Sequence, residues 1–192
     1  FHLDFNLPKS YNFIKSLVLS GVSQVLVAGT CFEYGNQSGP IPSTRLPMPN
    51  NPYAIAKDKL RQQLDLLSNE YPFCLQWARL FYTYGKGQNQ NSLLSQLDKA
   101  IDSGDNIFNM SGGEQVRDYL PIELVAQQIF YLYNSARAGI FNICSGNPIS
   151  IKKLIEEHLR KRGKKIKLNL GYYPYSEDEP MKFWGVRDIE LC

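Results

Sequence analysis

Three short apolar runs constrain the fold of this chain more than any other feature of its sequence. They are "QVLVAG" (24–29), "FCLQWARLF" (73–81) and "IFNICSG" (140–146). Each run is continuous rather than alternating, which is typical of a strand buried on both faces of a parallel sheet. Segments with helical periodicity separate them, at 6–20, 52–70, 92–103 and after Pro121, and a further helix is expected over 151–162. Strands alternating with helices predict an α/β fold with a parallel sheet.

Composition places the chain among soluble globular proteins. It has 192 residues, 43% hydrophobic and 20% charged, with a net charge of +3. No apolar run approaches the length of a membrane span, so we expect no membrane association. The basic run "RKRGKK" (160–165) is interpreted as a solvated helix end; nucleic-acid binding is the weaker alternative, because no aromatic residues interleave it. The four cysteines form no CxxC and the two histidines are isolated from them, which predicts no metal site and a reduced, cytoplasmic setting.

The second helix begins with clear signals in "NNPYAIAKDKL" (50–60). Asn51 can cap it, and proline suits the first helical position because the missing N–H needs no partner there. An apolar stripe follows at Ala56, Leu60, Leu64 and Leu67. Tyr53 and Lys57 lie on the edge of this stripe, whereas Lys59 and Arg61 are expected to point to solvent.

Tyr53 and Lys57 are four residues apart, so they share one face of the helix. A nearby ammonium favours the phenolate and should lower the tyrosine pKa, which would suit proton transfer to or from an alcohol or carbonyl oxygen. The spacing alone is weak evidence, because it also occurs at Tyr11/Lys15 and Tyr82/Lys86. Only the middle pair has a hydroxyl residue, Thr30, at the carboxyl end of a preceding parallel strand, where ligands bind in open α/β sheets. A catalytic pair and a chance spacing both remain open on this reasoning.

Several segments, taken in order, resemble the extended short-chain dehydrogenase/reductase family of NAD-dependent sugar-nucleotide epimerases, dehydratases and reductases. They are "NLPKSYNFIKSLVLSGVSQVLVAGTCFEYG", "NPYAIAKDKLRQQL", "RLFYTYGKGQ", "VRDYLPIELVAQQI" and "FNICSGNPISIKKLIE". The resemblance covers almost the whole chain. It implies a partial Rossmann-type parallel sheet with helices, plus a small C-terminal α/β substrate-binding region. Residues 1–105 would be the C-terminal part of the dinucleotide-binding domain, and 106–192 mainly the substrate-binding region, interleaved with it.

The resemblance also implies roles for individual residues. Tyr53 would be the general acid/base, Lys57 would lower its pKa and bind the nicotinamide ribose of NAD or NADP, and Thr30 would hydrogen-bond the reacting oxygen. Arg117 would contact the substrate diphosphate; its alternative is a surface ion pair with a neighbour such as Asp118. Asn6 would touch the cofactor or an active-site water; its alternative is a helix cap.

Departures from the family pattern reduce the number of reactions that the chain is expected to catalyse. The dehydratases carry acidic residues directly after the threonine, where this chain has Cys31 and Phe32, which would instead face substrate. Glu33 comes one position later, and strand-like geometry would turn it away from the site. Dehydration is therefore disfavoured. Tyr82 stands where many members have asparagine, which changes a substrate contact.

The resemblance begins only at the family's fourth helix. No GxxGxxG or GxGxxG occurs, so we expect the first βα units, which hold the cofactor pyrophosphate, to belong to sequence outside this chain. A piece of this kind would expose the sheet edge that those strands cover, and would be inactive without them.

The favoured function is reduction of a 4-keto-6-deoxy sugar nucleotide by NADH or NADPH. The alternatives are a sugar-nucleotide C4-epimerase and, from another class, a non-catalytic regulatory or interaction subunit of the same fold. A homodimer is expected by analogy, because the helix at 52–70 commonly packs against its twin in the family.

Overall fold

A three-stranded parallel sheet forms the centre of the molecule. The computed structural model describes residues 1–177 and 179–189. The strands β1 (Gln24–Thr30), β3 (Cys74–Leu80) and β8 (Gly139–Ile143) lie in the order β1-β3-β8. The predicted parallel α/β arrangement is confirmed. β1 is the edge strand, and its residues 24–27 are only half-buried, so the prediction that this strand is buried on both faces is wrong.

Helices cover both faces of the sheet. The helices α1 (Leu7–Leu19) and α2 (Pro52–Glu70) cover one face, and α4 (Ile122–Ser135) covers the other. Successive side chains of a strand point to opposite faces, and β3 therefore divides its residues: Trp77 packs with α1 and α2, and Ala78 packs with α4. The predicted stripe of α2 is buried against this sheet, which confirms the helical periodicity.

A second core lies beside the sheet. It is formed by α3 (Leu93–Asp102), α5 (Ile151–Arg162), β5 (Ile107–Asn109) and β10 (Lys167–Asn169), with β5 and β10 paired in parallel. The predicted helices are thus present close to their predicted ends. The division at residue 105 stays a prediction, with α4 and β8 of the later part joining the sheet.

Short strand pairs connect the two regions. β4 (Tyr82–Tyr84) pairs with β7 (Tyr119–Pro121), β6 (Val116–Arg117) with β9 (Ile149–Ser150), and β2 (Gly39–Ile41) with β11 (Phe183–Gly185). β4 follows β3 directly, so these pairs begin at the carboxyl ends of the main strands. The end of the chain with Cys192 lies outside the described residues.

Arg61 corrects one expectation about α2. Its side chain is 12% exposed rather than solvated, and it bonds Asp58 at 2.9 Å and Asp65 at 2.6 Å. Pairs at i,i+3 and i,i+4 share a helix face, and here they hold the arginine along the helix surface. The nearby acidic residues, not the stripe, decide where this side chain lies.

Candidate active site

Thr30 ends β1 and begins a 3₁₀ turn, Cys31–Tyr34. Its Oγ1 accepts a hydrogen bond from the Phe32 N–H at 3.3 Å, and its own N–H donates to Glu33 Oε1 at 2.8 Å. These two bonds form a reciprocal cap that fixes the residue at the strand end. Because the hydroxyl oxygen accepts from the turn, its proton is left to point toward a different acceptor.

Tyr53 and Lys57 lie in the first turns of α2. The Asn51 side chain accepts from the Ala54 N–H at 2.9 Å, which confirms the predicted cap. The Lys57 Nζ lies 6.0 Å from the centre of the Tyr53 ring and donates to the Ala28 carbonyl at 2.9 Å. This bond ties the start of α2 to β1.

The three predicted catalytic residues meet at one cavity of about 350 Å³ at the carboxyl end of the sheet. Thr30, Tyr53 and Lys57 all line this cavity, which is called the catalytic cavity after their predicted role, and Thr30 lies near enough to Tyr53 to lower the pKa of the phenol. Tyr53 is 37% exposed, so its phenol is reachable by a ligand. The fold therefore brings the two hydroxyl groups to one point; their catalytic roles remain a prediction.

The pKa of Tyr53 differs from the expectation. Burial raises the pKa of the phenol, the charge of Glu33 raises it further, and the interaction with Thr30 lowers it. Burial also lowers the pKa of Lys57. The predicted lowering of the Tyr53 pKa by Lys57 is wrong for this structure: the pKa is raised, and the ammonium donates to the Ala28 carbonyl and lies 6.0 Å from the centre of the Tyr53 ring.

Asn6 lies in a π-helical turn, His2–Asn6, ahead of α1. It makes no side-chain cap, so the helix-cap alternative is wrong. Its Nδ2 is 3.3 Å from His2 Nδ1, and it lines a cavity of about 220 Å³ together with Tyr53 and Lys57. The His2 ring packs edge-on against the Tyr53 ring, with 5.3 Å between the centres. Contact between Asn6 and a cofactor or water remains a prediction.

Cys31 and Phe32 lie in the turn after Thr30, and both line the catalytic cavity. Burial strongly raises the pKa of the Cys31 thiol, so this group is neutral at physiological pH. The Phe32 ring is exposed. Glu33 is turned away from the cavity, as expected, but the reason is a 3₁₀ turn rather than a continued strand.

Tyr82 connects the catalytic cavity to a larger one. It lines both the cavity at Thr30 and a neighbouring cavity of about 530 Å³ that contains Arg117. Its ring lies 6.0 Å from that of Phe32 and 5.3 Å from that of Tyr119. Burial raises its pKa, so the phenol stays protonated. An aromatic wall thus runs from the reactive hydroxyls to the arginine.

Arg117 is an interior residue, only 2% exposed. Its guanidinium lies 5.8 Å from the centre of the Tyr82 ring, donates to the Val116 carbonyl at 3.0 Å, and pairs with Glu179 at 3.0 Å. Asp118 instead accepts from the N–H groups of Ser145 and Gly146. The ion-pair alternative is therefore right that Arg117 is paired, but its partner is Glu179 rather than Asp118, and the arginine is buried in the wall of the larger cavity.

The prediction missed three features of this site. Glu179 neutralises Arg117, His2 packs on Tyr53, and Glu33 is buried with Arg79 and Trp77. Only Glu33 carried a local signal, since "TCFE" (30–33) matches the Ser/Thr-x-x-Glu pattern of a capping box. The other two contacts join residues that are far apart along the chain.

Among residues 1–177 and 179–189, no helix is long and apolar enough to cross a membrane. Within the same part of the chain, no group of three or more His, Cys, Asp or Glu side chains could hold a metal ion.

Comparison with known proteins defines the class. A family model described as the NAD dependent epimerase/dehydratase family matches residues 3–144. The chain therefore belongs to the NAD-dependent epimerase/dehydratase family, which confirms the resemblance to extended short-chain dehydrogenases/reductases.

Individual relatives add detail. The dTDP-6-deoxy-L-talose 4-dehydrogenase (NAD(+)) of Aggregatibacter actinomycetemcomitans is 35% identical over 187 residues, which are 97% of this chain and 69% of that protein. The UDP-glucuronate 4-epimerase of Thermodesulfobacterium geofontis (strain OPF15) is 27% identical over 168 residues, covering 86% of this chain and 52% of that protein. The structure of RMD from Pseudomonas aeruginosa complexed with NADPH has a TM-score of 0.80 at 22% identity, covering 90% of this chain and 63% of that one. This last likeness shows the fold alone.

The pKa of Tyr53 can be measured by NMR of protein labelled at the tyrosine ζ-carbon, with no nucleotide added. We expect its phenol to titrate above the ordinary value of about 10, because burial and the charge of Glu33 disfavour the phenolate. Thr30→Val should raise the pKa further by removing the interaction that stabilises the phenolate. Tyr53→Phe assigns the signal, and a midpoint below 10 would contradict this account.

Proposed function

We propose that the protein containing this chain is an NAD(P)-dependent oxidoreductase of nucleotide-activated sugars, and that it reduces a 4-keto-6-deoxy sugar nucleotide at C4. The observation that carries the proposal is the meeting of the Thr30 and Tyr53 hydroxyls, with Lys57 beside them, at the carboxyl end of a parallel sheet. A carbonyl oxygen at that point could accept two hydrogen bonds. Such donors stabilise the negative charge that develops on the oxygen during reduction.

Tyr53 is suited to the acid role. Its raised pKa keeps the phenol protonated at neutral pH, which is the form needed to give a proton to a new alkoxide. Thr30 would hold the same oxygen, and its proton is free for this because its Oγ1 already accepts from Phe32. Lys57 would keep the region positively charged, and this charge would stabilise the phenolate that Tyr53 becomes after it gives up its proton.

The residues present fit a nicotinamide cofactor. Tyr53 and Lys57 line both the catalytic cavity and the adjoining cavity with Asn6, so a ligand filling the second would reach the first. Lys57 presents an ammonium there, and a ribose hydroxyl is a good acceptor for it. Lys57, Tyr53 and Asn6 would hold the group, which supplies or takes up hydride when bound.

The larger cavity fits the nucleotide part of the substrate. Arg117 supplies a planar cation suited to a diphosphate, and aromatic side chains such as Tyr82 and Tyr119 supply flat surfaces. Cys31 and Phe32 would border the sugar at the reacting end. Neither is a carboxylate, and Glu33 is engaged with Arg79, so the group that removes a proton during dehydration is missing from this turn.

The relatives support the redox assignment. The name of the Aggregatibacter protein specifies a 4-dehydrogenase acting on a dTDP-6-deoxy sugar, and the reverse of such a reaction is a 4-keto reduction. The chain spans 69% of that protein and 52% of the Thermodesulfobacterium epimerase. The activity, substrate and partners of the whole protein are therefore proposals.

Two alternatives remain. A C4-epimerase is favoured by the likeness to the UDP-glucuronate 4-epimerase, since the same hydroxyls can remove and return a proton at C4. A non-catalytic subunit of the same fold has no need for two hydroxyls and an ammonium at one cavity, and we therefore rank it last.

The exposed surface of α1 and α2 supports a homodimer. This layer exposes large apolar side chains, among them Phe13, Leu19 and Leu66. A solution mass of one chain would contradict the homodimer.

Two cysteines support a cytoplasmic location. Cys31 and Cys144 are buried free thiols, which suit the reducing cytoplasm. Recovery in another compartment on cell fractionation would contradict this location.

Tyr53→Phe tests the central role. In the protein as its gene encodes it, this change should lower kcat by about a hundredfold or more, because the general acid is lost. The dissociation constant for NADH or NADPH should stay within about twofold, since Lys57 and Asn6 remain. Stopped-flow absorbance at the nicotinamide band measures kcat, and calorimetry measures the dissociation constant for the cofactor.

Tyr11→Phe is the matched control. Lys15 lies 6.0 Å from the Tyr11 ring, the same separation as in the Tyr53 pair, but Tyr11 lies in α1 and does not line the catalytic cavity. Its kcat should equal that of the unchanged protein. Full activity of Tyr53→Phe would overturn the proposal. Turnover of a nucleotide sugar with no added nicotinamide would instead favour the epimerase, which regenerates its cofactor in each cycle.

Arg117→Met tests the substrate contact. Loss of a charge-assisted pair should raise KM for the nucleotide sugar by about ten- to a hundredfold, with a smaller change in kcat. Methionine keeps an unbranched apolar side chain beside Tyr82. Because Arg117 also balances Glu179, Arg117→Met with Glu179→Gln is the charge-matched control. An unchanged KM in both variants would exclude Arg117 from the site.

A further inference from the structure

Glu33 is a buried carboxylate that the proposed chemistry does not use. It lies directly beneath the catalytic turn, pairs with Arg79 at 2.7 Å, and both side chains are 0% exposed. Burial raises the pKa of Glu33, whereas the charge of Arg79 lowers it. Every hydrogen-bond partner of the carboxylate is an N–H donor, so these contacts favour its ionised form and oppose the effect of burial.

The two carboxylate oxygens have different partners. Oε1 accepts from the Thr30 N–H at 2.8 Å and from Trp77 Nε1 at 3.1 Å. Oε2 accepts from Trp77 Nε1 at 3.0 Å and from Arg79 Nε at 2.7 Å. Trp77 and Arg79 belong to β3, and Thr30 ends β1. The carboxylate therefore joins the catalytic threonine to the neighbouring strand.

The contact with Thr30 has a consequence for its hydroxyl. The Glu33–Thr30 bond closes the 3₁₀ turn, and the closed turn presents the Phe32 N–H to Thr30 Oγ1. With its oxygen accepting from Phe32, the hydroxyl keeps its proton for another acceptor, and Thr30 lines the same cavity as Tyr53. The direction of the catalytic hydroxyl thus depends on a carboxylate that never touches the cavity.

The space around Glu33 is closely fitted to this arrangement. A Cβ at Gly29 would lie 2.7 Å from Glu33 Oε1 and would overlap the Trp77 ring. Glycine at this position of β1 lets the carboxylate and the indole approach the strand backbone. A residue with any side chain would displace the two groups that set the Thr30 turn.

Stability alone is a poor explanation for this ion pair. Removing two charges from water costs free energy that their attraction repays only in part, and apolar pairs of similar volume are often as stable or more stable. The Arg79 Nη2 has no hydrogen-bond partner within the described residues, which adds to the cost. What the pair supplies, and an apolar pair cannot, is an acceptor for the Thr30 N–H.

We propose that Glu33 is a positioning residue of the active site: its carboxylate, held by Arg79 and Trp77, fixes the Thr30 N–H and so holds the Thr30 hydroxyl in place at the cavity that Tyr53 also lines. This inference rests on the proposed function where it concerns turnover. The titratable groups that interact with the Glu33 carboxylate are Arg79, Tyr34 and Cys31, with Tyr53 and Lys57 across the turn. The charge of Glu33 also acts on Tyr53, so a test must separate charge from position.

Two paired substitutions make that separation. Glu33→Gln with Arg79→Gln is neutral and keeps a carbonyl oxygen for the Thr30 N–H, while the two amides can bond each other. Glu33→Leu with Arg79→Met is equally neutral but offers no acceptor. Changing both partners avoids the uncompensated buried arginine that Glu33→Leu alone would leave, which is expected to prevent folding.

In the protein as its gene encodes it, the Leu/Met variant should lose kcat by about tenfold or more, because a small misplacement of a catalytic group is costly. Its KM and cofactor affinity should stay within about twofold. The Gln/Gln variant should recover most of the lost kcat. In a Thr30→Val background the Leu/Met change should cost nothing further, since the hydroxyl it positions is absent.

Amide hydrogen exchange supplies a readout that needs no turnover. The Thr30 N–H should exchange slowly in the unchanged and Gln/Gln proteins and faster in the Leu/Met variant, relative to amides of α5. Equal exchange in all three, an unchanged kcat in the Leu/Met variant, or losses that add to that of Thr30→Val would each overturn the inference. If no nucleotide sugar is turned over by the unchanged protein, the proposed function fails, and the exchange rates still decide whether Glu33 positions Thr30.

Discussion

Parallel pairing of β1 with β3 determines where the functional groups of this chain lie. Their register places Thr30 beside Leu80, so both strands end at the same edge of the sheet. Thr30 is the last residue of β1, Tyr82 comes shortly after the end of β3, and both residues line the catalytic cavity. Without this shared edge, a hydroxyl at residue 30 and an aromatic wall at residue 82 would have no reason to meet.

The start of α2 completes the site. Asn51 caps the helix, and Lys57 bonds the Ala28 carbonyl of β1, so the first turns of α2 are anchored to the strand that ends in Thr30. Tyr53 is carried to the cavity by this anchoring. The cavity is partly closed, which raises the phenol's pKa and keeps its proton available. A protonated tyrosine beside a threonine hydroxyl suits donation to a carbonyl oxygen better than abstraction from an alcohol.

A row of aromatic side chains connects the cavity at Thr30 and Tyr53 to the larger cavity at Arg117. The Phe32 and Tyr82 rings pack edge to face with 6.0 Å between their centres, and the Tyr82 and Tyr119 rings are tilted with 5.3 Å between theirs. They lead from the reactive hydroxyls to Arg117, which is buried in the wall of the larger cavity. Glu179 balances the arginine in this structure. If Arg117 binds a diphosphate as proposed, that anion would have to replace the Glu179 carboxylate.

Local sequence accounts for much of this architecture. The continuous apolar runs predict parallel strands, the Asn51-Pro52 start predicts α2, and helical spacing predicts which of its residues are buried, because each depends on neighbours a few positions away. The three catalytic candidates were found the same way, with a family resemblance to choose among three equal spacings. Arg61 was misjudged, because periodicity marks the apolar stripe and is silent about ion pairs along its border.

Sequence by itself determined the α/β class and the order of strands and helices, and it made Thr30, Tyr53 and Lys57 the candidate catalytic residues. Only the tertiary structure decided that Tyr53 has a raised pKa, that Glu33 holds Thr30 from beneath, and that Arg117 pairs with Glu179. The physical reason is range: propensity, capping and periodicity act between near neighbours in the chain. Burial and charge depend on groups such as Arg79 and Glu179, which are 46 and 62 residues from their partners and meet only when the sheet has formed.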